Sequence, residues 1–241
     1  DNGDLYISGT KITSGGTVIN SPENLEYRSD VNYSGSDNFS WQGWDTTNSQ
    51  YTSSVDIDIE IVAVNDAPIF TLGSNQTVNE DAGTQTVSNF VTDIAAGGGS
   101  DETAQSLTFT TTNNNSSLFS SQPTVSADGT LTYTPAENAY GTATITVELK
   151  DDGGTDNGGI DQVVKTLTIN VTSENDAPTL GNISISYADT AATDTFTSRS
   201  GTFSTTDADD SSFTYDFSDG TLSQVGTYGT LSIATNGAYT Y

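Results

Sequence analysis

The chain has 241 residues, with five Lys and Arg against 32 Asp and Glu, a formal net charge of −27, and no Cys, Met or His. Those absences exclude a disulfide framework, thiolate zinc sites, a cysteine nucleophile, histidine metal ligands and a Ser-His-Asp triad. The charge repels nucleic acid and anionic lipid, so neither is an expected partner.

Hydrophobic residues make up only 32%, but charged residues are 15% and aromatics 9%, with 11 Tyr and 9 Phe. Disordered acidic tails are poor in aromatics. Thr, Val, Ile and aromatics form strands, while Gly, Asn and Asp form turns, so the composition points to a secreted all-β protein. No apolar run approaches the ~20 residues of a membrane span, so membrane insertion is not expected. The start at Asp1, with no Met anywhere, marks the sequence as a piece of a longer protein.

In chain order, the first clear element is the alternating run Val55-Asp56-Ile57-Asp58-Ile59-Glu60-Ile61-Val62, apolar at every second position as in a strand with one buried face. It ends at Asn65-Asp66-Ala67-Pro68, where Pro stops a sheet ladder. Short strands follow at 76–78 and 86–91, then a better alternation at 106–111. The pieces 124–126 and 130–133 flank Ala127-Asp128-Gly129, a hairpin signal, and longer strands span 142–149 and 163–171. A second terminator, Asn175-Asp176-Ala177-Pro178, repeats the first. No stretch has helical periodicity. The two terminators divide the chain into the end of one domain (1–64), a complete domain (65–174) and the beginning of a third (175–241). About seven short strands in the middle domain match an immunoglobulin-like sandwich.

Two further repeats reach into the flanking segments. Asp128-Gly129-Thr130-Leu131-Thr132-Tyr133-Thr134-Pro135 is echoed from Gly229 to Tyr241, and Asn138-Ala139-Tyr140-Gly141 by Asn32-Tyr33-Ser34-Gly35. With Glu80-Asp81 near a first strand and Asp151-Asp152-Gly153-Gly154, these residues resemble the bacterial cadherin-like and VCBS-type tandem repeats of large secreted adhesins. The resemblance implies all-β, tandem immunoglobulin/cadherin-like β-sandwich modules joined head to tail, with Ca2+ at the junctions.

The acids gather at loops and boundaries, and five cations cannot neutralise 32 of them. Clustered carboxylates and amides suit calcium, which takes six to eight oxygens at about 2.3–2.6 Å. By the resemblance, the second junction would use Glu80 with Asp151 and Asp152, then Asn175 and Asp176, then Asp207 and Asp209 from Thr206-Asp207-Ala208-Asp209-Asp210. The Asp-Ala-Asp spacing places both carboxylates on one side of an extended segment. The first junction would use Asp45, Asn65 and Asp66, and Asp93 with Asp101 or Glu102. There Gly43-Trp44-Asp45-Thr46 replaces Asp-Asp-Gly-Gly and the early glutamate is absent, so fewer or weaker ions are expected. The bland alternative is that these Asp and Asn residues cap their own turns.

Trp41 and Trp44, with Tyr51 near, suggest a sugar-stacking platform, against which the alternation places Phe39 and Trp41 on one strand face with one of them in the core. No enzyme is expected, because the acids lie on loops at module ends with no aromatic-lined cleft. The expected function is that of secreted, cell-surface extender modules of a calcium-rigidified adhesin, whose partners are the neighbouring modules of the same chain. The alternatives are a subunit that assembles with identical chains into an extracellular filament, sheath or surface layer, and a glycan-binding module.

Overall fold

The structure is a computed structural model that describes residues 2–13, 19, 22–188 and 197–241. The chain is all-β: twenty-two strands and three 3-10 turns, with no α-helix among the described residues. Among the described residues no strand pairing crosses from 1–64 to 65–174, or from there to 175–241.

Residues 65–172 form two packed layers, one a four-stranded sheet and the other a three-stranded sheet with a separate strand pair. The four-stranded sheet has the order Thr108–Asn113, Gly141–Lys150, Gln162–Thr172 and Gln76–Asn79, antiparallel except for the last pair. The long central pair runs in unbroken register from Gly141↔Val171 to Lys150↔Gln162. Alternation turns Ala143, Ile145, Val147 and Leu149 inward with Leu167, Ile169 and Val171, all 3% exposed or less. The facing layer combines Gln85–Val87, Leu131–Pro135 and Phe119–Val125 with the pair Ile69–Leu72 and Val91–Ala95. It contributes Phe70, Phe90, Val91, Phe119, Val125, Leu131 and Tyr133 to the same core. Each such side chain is worth about 1.5–3 kcal/mol when fully buried.

The expected strand 86–91 is two strands. Asn89 has φ +53, a left-handed conformation that a ladder does not accommodate, so the chain turns there. Gln85–Val87 pairs with Leu131–Pro135 in one sheet, and Val91–Ala95 pairs with Ile69–Leu72 in another.

The flanking segments bury far less. Residues 1–64 hold a three-stranded sheet (Thr10–Lys11, Gly3–Ile7, Leu25–Ser29), the pair Gly35–Trp41 with Val55–Ile61, and a hairpin of Trp44–Asp45 with Gln50–Tyr51. None of their described apolar side chains is fully buried; Ile57, on the alternating strand, is 41% exposed. Residues 179–241 hold the pair Thr179–Leu180 with Thr205–Thr206 and a four-stranded sheet ordered Ser200–Thr202, Ala238–Thr240, Thr230–Ile233, Ser223–Val225. Ile233 is their one buried hydrophobic residue among those described, and Phe203 stacks on Tyr215.

Candidate junction sites

The antiparallel pair Gly141–Lys150 and Gln162–Thr172 fixes which acids can meet. Its connecting loop, 151–161, lies at the end where Asn65 enters, while Thr172 and the parallel strand Gln76–Asn79 lead to the opposite end. The set expected at the second junction is therefore split. Asp151 and Asp152 stand at the first junction, whereas Glu80, Asn175, Asp176 and Asp209 stand at the second.

At the first junction, the Asn65 amide donates to Asp151 Oδ1 at 3.0 Å and to the Ile160 carbonyl at 2.8 Å, and its oxygen accepts from Gln105 at 2.7 Å. The Ser106 amide donates to Asp152 Oδ1 at 2.9 Å. The Asp66 amide donates to Glu102 Oε1 at 2.7 Å. Asp151 and Glu102 are 3% and 4% exposed, yet Asp151 Oδ2 and Glu102 Oε2 are buried without a hydrogen-bond partner. Glycine brings the backbone in: a methyl group at Gly98, whose φ is +43, would meet both Glu102 Oε2 and Asp66 Oδ2. Asp101 Oδ2 accepts from the Ser34 hydroxyl at 2.8 Å, a bond spanning 67 residues.

At the second junction, Glu80 is 1% exposed. Its Oε1 accepts from the Glu174 amide at 3.0 Å and its Oε2 has no partner. The Asp176 amide donates to Asp209 Oδ2 at 2.8 Å, the counterpart of the Asp66–Glu102 bond. Asp176 Oδ2 is a fourth buried carboxylate oxygen without a partner among the described residues. Burial, followed by the charges of Asp81, Asp209, Asp207 and Glu174, raises the Asp176 carboxyl above the ordinary aspartate range. Asn175 donates only to the Asp176 carbonyl, at 2.8 Å.

Two expected ligands stand apart from these groups, and a third, Asp207, bonds to its own turn while its charge still acts on Asp176. Asp45 caps its own hairpin, accepting from the Thr47 amide at 2.8 Å and the Asn48 side chain at 2.8 Å, and these bonds lower its pKa, the Asn48 side chain most. Asp93 occupies a bulge at φ +54 in Val91–Ala95, its carboxylate accepting from neighbouring Thr92. Asp207 does not lie on an extended segment beside Asp209. Its Oδ1 accepts from the Asp209 and Asp210 amides at 2.9 and 2.8 Å, which bends the chain so that only Asp209 reaches the linker.

Among the described residues no group of three or more acids is close enough to hold a metal ion on its own. The donor chemistry nevertheless fits a hard cation: buried carboxylate oxygens without partners, flanked by amide and backbone oxygens. Gln105, Ser34 and Asp81 are junction residues that motif matching did not select, and Glu102 was expected there only as an alternative to Asp101. Their signal was faint, since only an acid or amide in a loop marked them. Trp44 and Tyr51 pair across their hairpin with centroids 4.5 Å apart and planes at 55°, so together they make no flat platform.

Residues 65–172 match the family model described as a bacterial Ig domain. No curated protein matches the chain. Among solved structures, the human desmocollin-1 ectodomain aligns over 98% of this chain and 43% of its own length, at 16% identity and a TM-score of 0.32. The chain thus spans less than half of that ectodomain. No helix among the described residues is long and apolar enough to cross a membrane. The region 65–172 has an immunoglobulin-like fold, a class that typically serves as non-catalytic adhesion or structural modules outside the cell.

Proposed function

We propose that the chain is a run of extender modules from a bacterial cell-surface adhesin, made rigid by calcium at the junctions. The observation that carries this reading is the set of four buried, unpartnered carboxylate oxygens: Asp151 Oδ2 and Glu102 Oε2 at one end of the central module, Glu80 Oε2 and Asp176 Oδ2 at the other. A buried carboxylate oxygen with no donor costs several kcal/mol unless a cation approaches it.

Bound calcium supplies that charge and accepts further oxygens from Asp66, Asn65 and Asp209. These residues fix where the linker enters and leaves: Asn65 is tied to the loop 151–161, and Asp66 and Asp176 are tied through their amides to Glu102 and Asp209. Removing the ion leaves like charges facing one another around Asp176. Extracellular calcium modules bind at about 10⁻⁴–10⁻³ M, so the chain is rigid in media that supply the ion. Small-angle scattering in calcium and then in chelator tests this. A longer maximum dimension and a narrower ensemble are expected in calcium, and an unchanged profile sinks the proposal.

A second reading, a subunit that assembles with identical chains, is favoured by one observation. Among the described residues of 179–241, an apolar groove of about 580 Å³ is lined by Ile183, Ile185, Tyr228 and Tyr241. Sedimentation over a concentration series decides it: a monomer at all concentrations removes this reading.

A further inference from the structure

We infer that the two junctions are mechanically unequal: the first is latched by direct contact between protein groups, and the second is the hinge of the chain. The comparison is internal, because the same turn occurs at the far end of both preceding modules. In residues 1–64 it is Asn32-Tyr33-Ser34-Gly35, and in residues 65–174 it is Asn138-Ala139-Tyr140-Gly141. The two asparagines share a left-handed backbone, φ +56 and +54, and the two glycines have φ +126 and +136. Their surroundings differ.

The Asn32 turn is docked. The Ser34 hydroxyl donates to Asp101 Oδ2 at 2.8 Å, and Gly99 lies against Asn32 so closely that a methyl group there would stand 2.6 Å from the Asn32 carbonyl oxygen. Real Cβ atoms essentially never approach that near, so the absence of a side chain at 99 is a condition of the contact. Gly97 does the same for the linker, its φ of +102 placing it against the Ala67 carbonyl. The run Gly97-Gly98-Gly99 is therefore a cradle that admits both the linker and the preceding module.

Among the described residues no hydrogen bond joins the Asn138 turn to residues 175–241. That turn lines a cavity of about 410 Å³ whose other walls include Asp81, Glu137 and Asp176. The third module has no glycine run at the corresponding place: Thr206-Asp207-Ala208-Asp209-Asp210 stands there, and its acids bond to their own turn or to the Asp176 amide. The first junction alone combines a hydroxyl–carboxylate bond between modules with close backbone packing among the described residues. This inequality is a property of the calcium-free chain and does not depend on the calcium proposal.

The absence of cysteine allows site-specific spin labels without background. Two double variants, Asn38→Cys with Thr110→Cys and Thr166→Cys with Thr240→Cys, span the first and second junctions from exposed strand positions. Pulsed dipolar distance distributions in chelator should be at least twofold narrower across the first junction. Equal widths, or a broader first junction, overturn the inference. Adding Gly99→Val and Ser34→Ala to the first pair should widen its distribution to that of the second, and an unchanged width also overturns it. Those two residues lie outside the core cluster, so the melting transition of residues 65–172 should stay in place and separate undocking from unfolding.

Discussion

Replacing Glu102 by Gln separates two consequences of one buried carboxylate. Glu102 is 4% exposed; its Oε1 accepts from the Asp66 amide at 2.7 Å, and its Oε2 has no partner. Glutamine keeps a carbonyl acceptor and exchanges the charged oxygen for an amide donor, with Asp66 Oδ2 close by on the same side of Gly98. In chelator the variant should therefore be more stable than the wild type, by about 1–3 kcal/mol, the penalty of a buried polar group left unpaired. In calcium the order should reverse. An ion at ~10 times its dissociation constant adds roughly 1.4 kcal/mol per site to the folded state, and the variant forfeits the part that a Glu102 carboxylate supports. Chemical denaturation followed by near-ultraviolet circular dichroism measures both conditions, because Tyr133 is fully buried in the central core. A Glu102→Gln chain less stable than wild type in chelator refutes the reasoning, and so does a wild-type midpoint that ignores calcium.

Three other expectations use the same chain. Ile145→Ala should cost about 2–5 kcal/mol, since Ile145 is 0% exposed in the central core, whereas Ile57→Ala at a 41% exposed position should cost under ~1 kcal/mol. Tryptophan fluorescence follows the second variant alone, both tryptophans lying in residues 1–64. Gly129→Ala and Gly154→Ala replace glycines of nearly equal φ, +82 and +83, but only the first places a methyl against the Val91 carbonyl. Urea midpoints should show Gly129→Ala as the more destabilising, by more than ~1 kcal/mol. The raised Asp176 carboxyl favours protonation in the folded chain, so its stabilising effect is complete below the unfolded pKa and is lost as pH rises through the folded one. In chelator, hydrogen exchange around residues 174–178 should slow as pH falls through the carboxylate range, after correction for the intrinsic rate, and Asp176→Asn should abolish the trend.

The sheets of the central module were legible because their physics is local. Period-two alternation in 142–149 and 163–171 needs only one buried face, and the observed strands, Gly141–Lys150 and Gln162–Thr172, extend these runs by a residue or so at each end. Phe119–Val125 was legible only at its end, because Ser120, Ser121, Gln122 and Pro123 offer no alternation and the strand is irregular where it meets Leu131–Pro135. The sites were less legible, for a reason of topology. Asp151-Asp152-Gly153-Gly154 precedes the second linker in sequence by one strand, but an antiparallel strand reverses direction, so the loop belongs to the first junction. Asp45, Asp93 and Asp207 show the other limit: an Asp beside a turn has amides within reach whether or not it also binds an ion.

The positions of the few basic groups give the strongest reason to expect an external cation. Among the described residues, the buried charged side chains are Glu80, Glu102 and Asp151, all at the ends of the one module with a full core. Four of the five basic residues lie elsewhere, and Lys150, which adjoins Asp151, pairs with Asp161 instead. Lys11 pairs with Asp4 and Arg28 with Glu26, each at the surface. Lys165 donates to the Phe70 carbonyl, and Arg199 lies over the Tyr187 ring. A fold that buries three acids and pairs none with its own cations carries a desolvation cost of several kcal/mol per ion that only protonation or a bound cation relieves. In the proposed function a cation from the medium supplies that relief at the two ends of the central module, where one module meets the next.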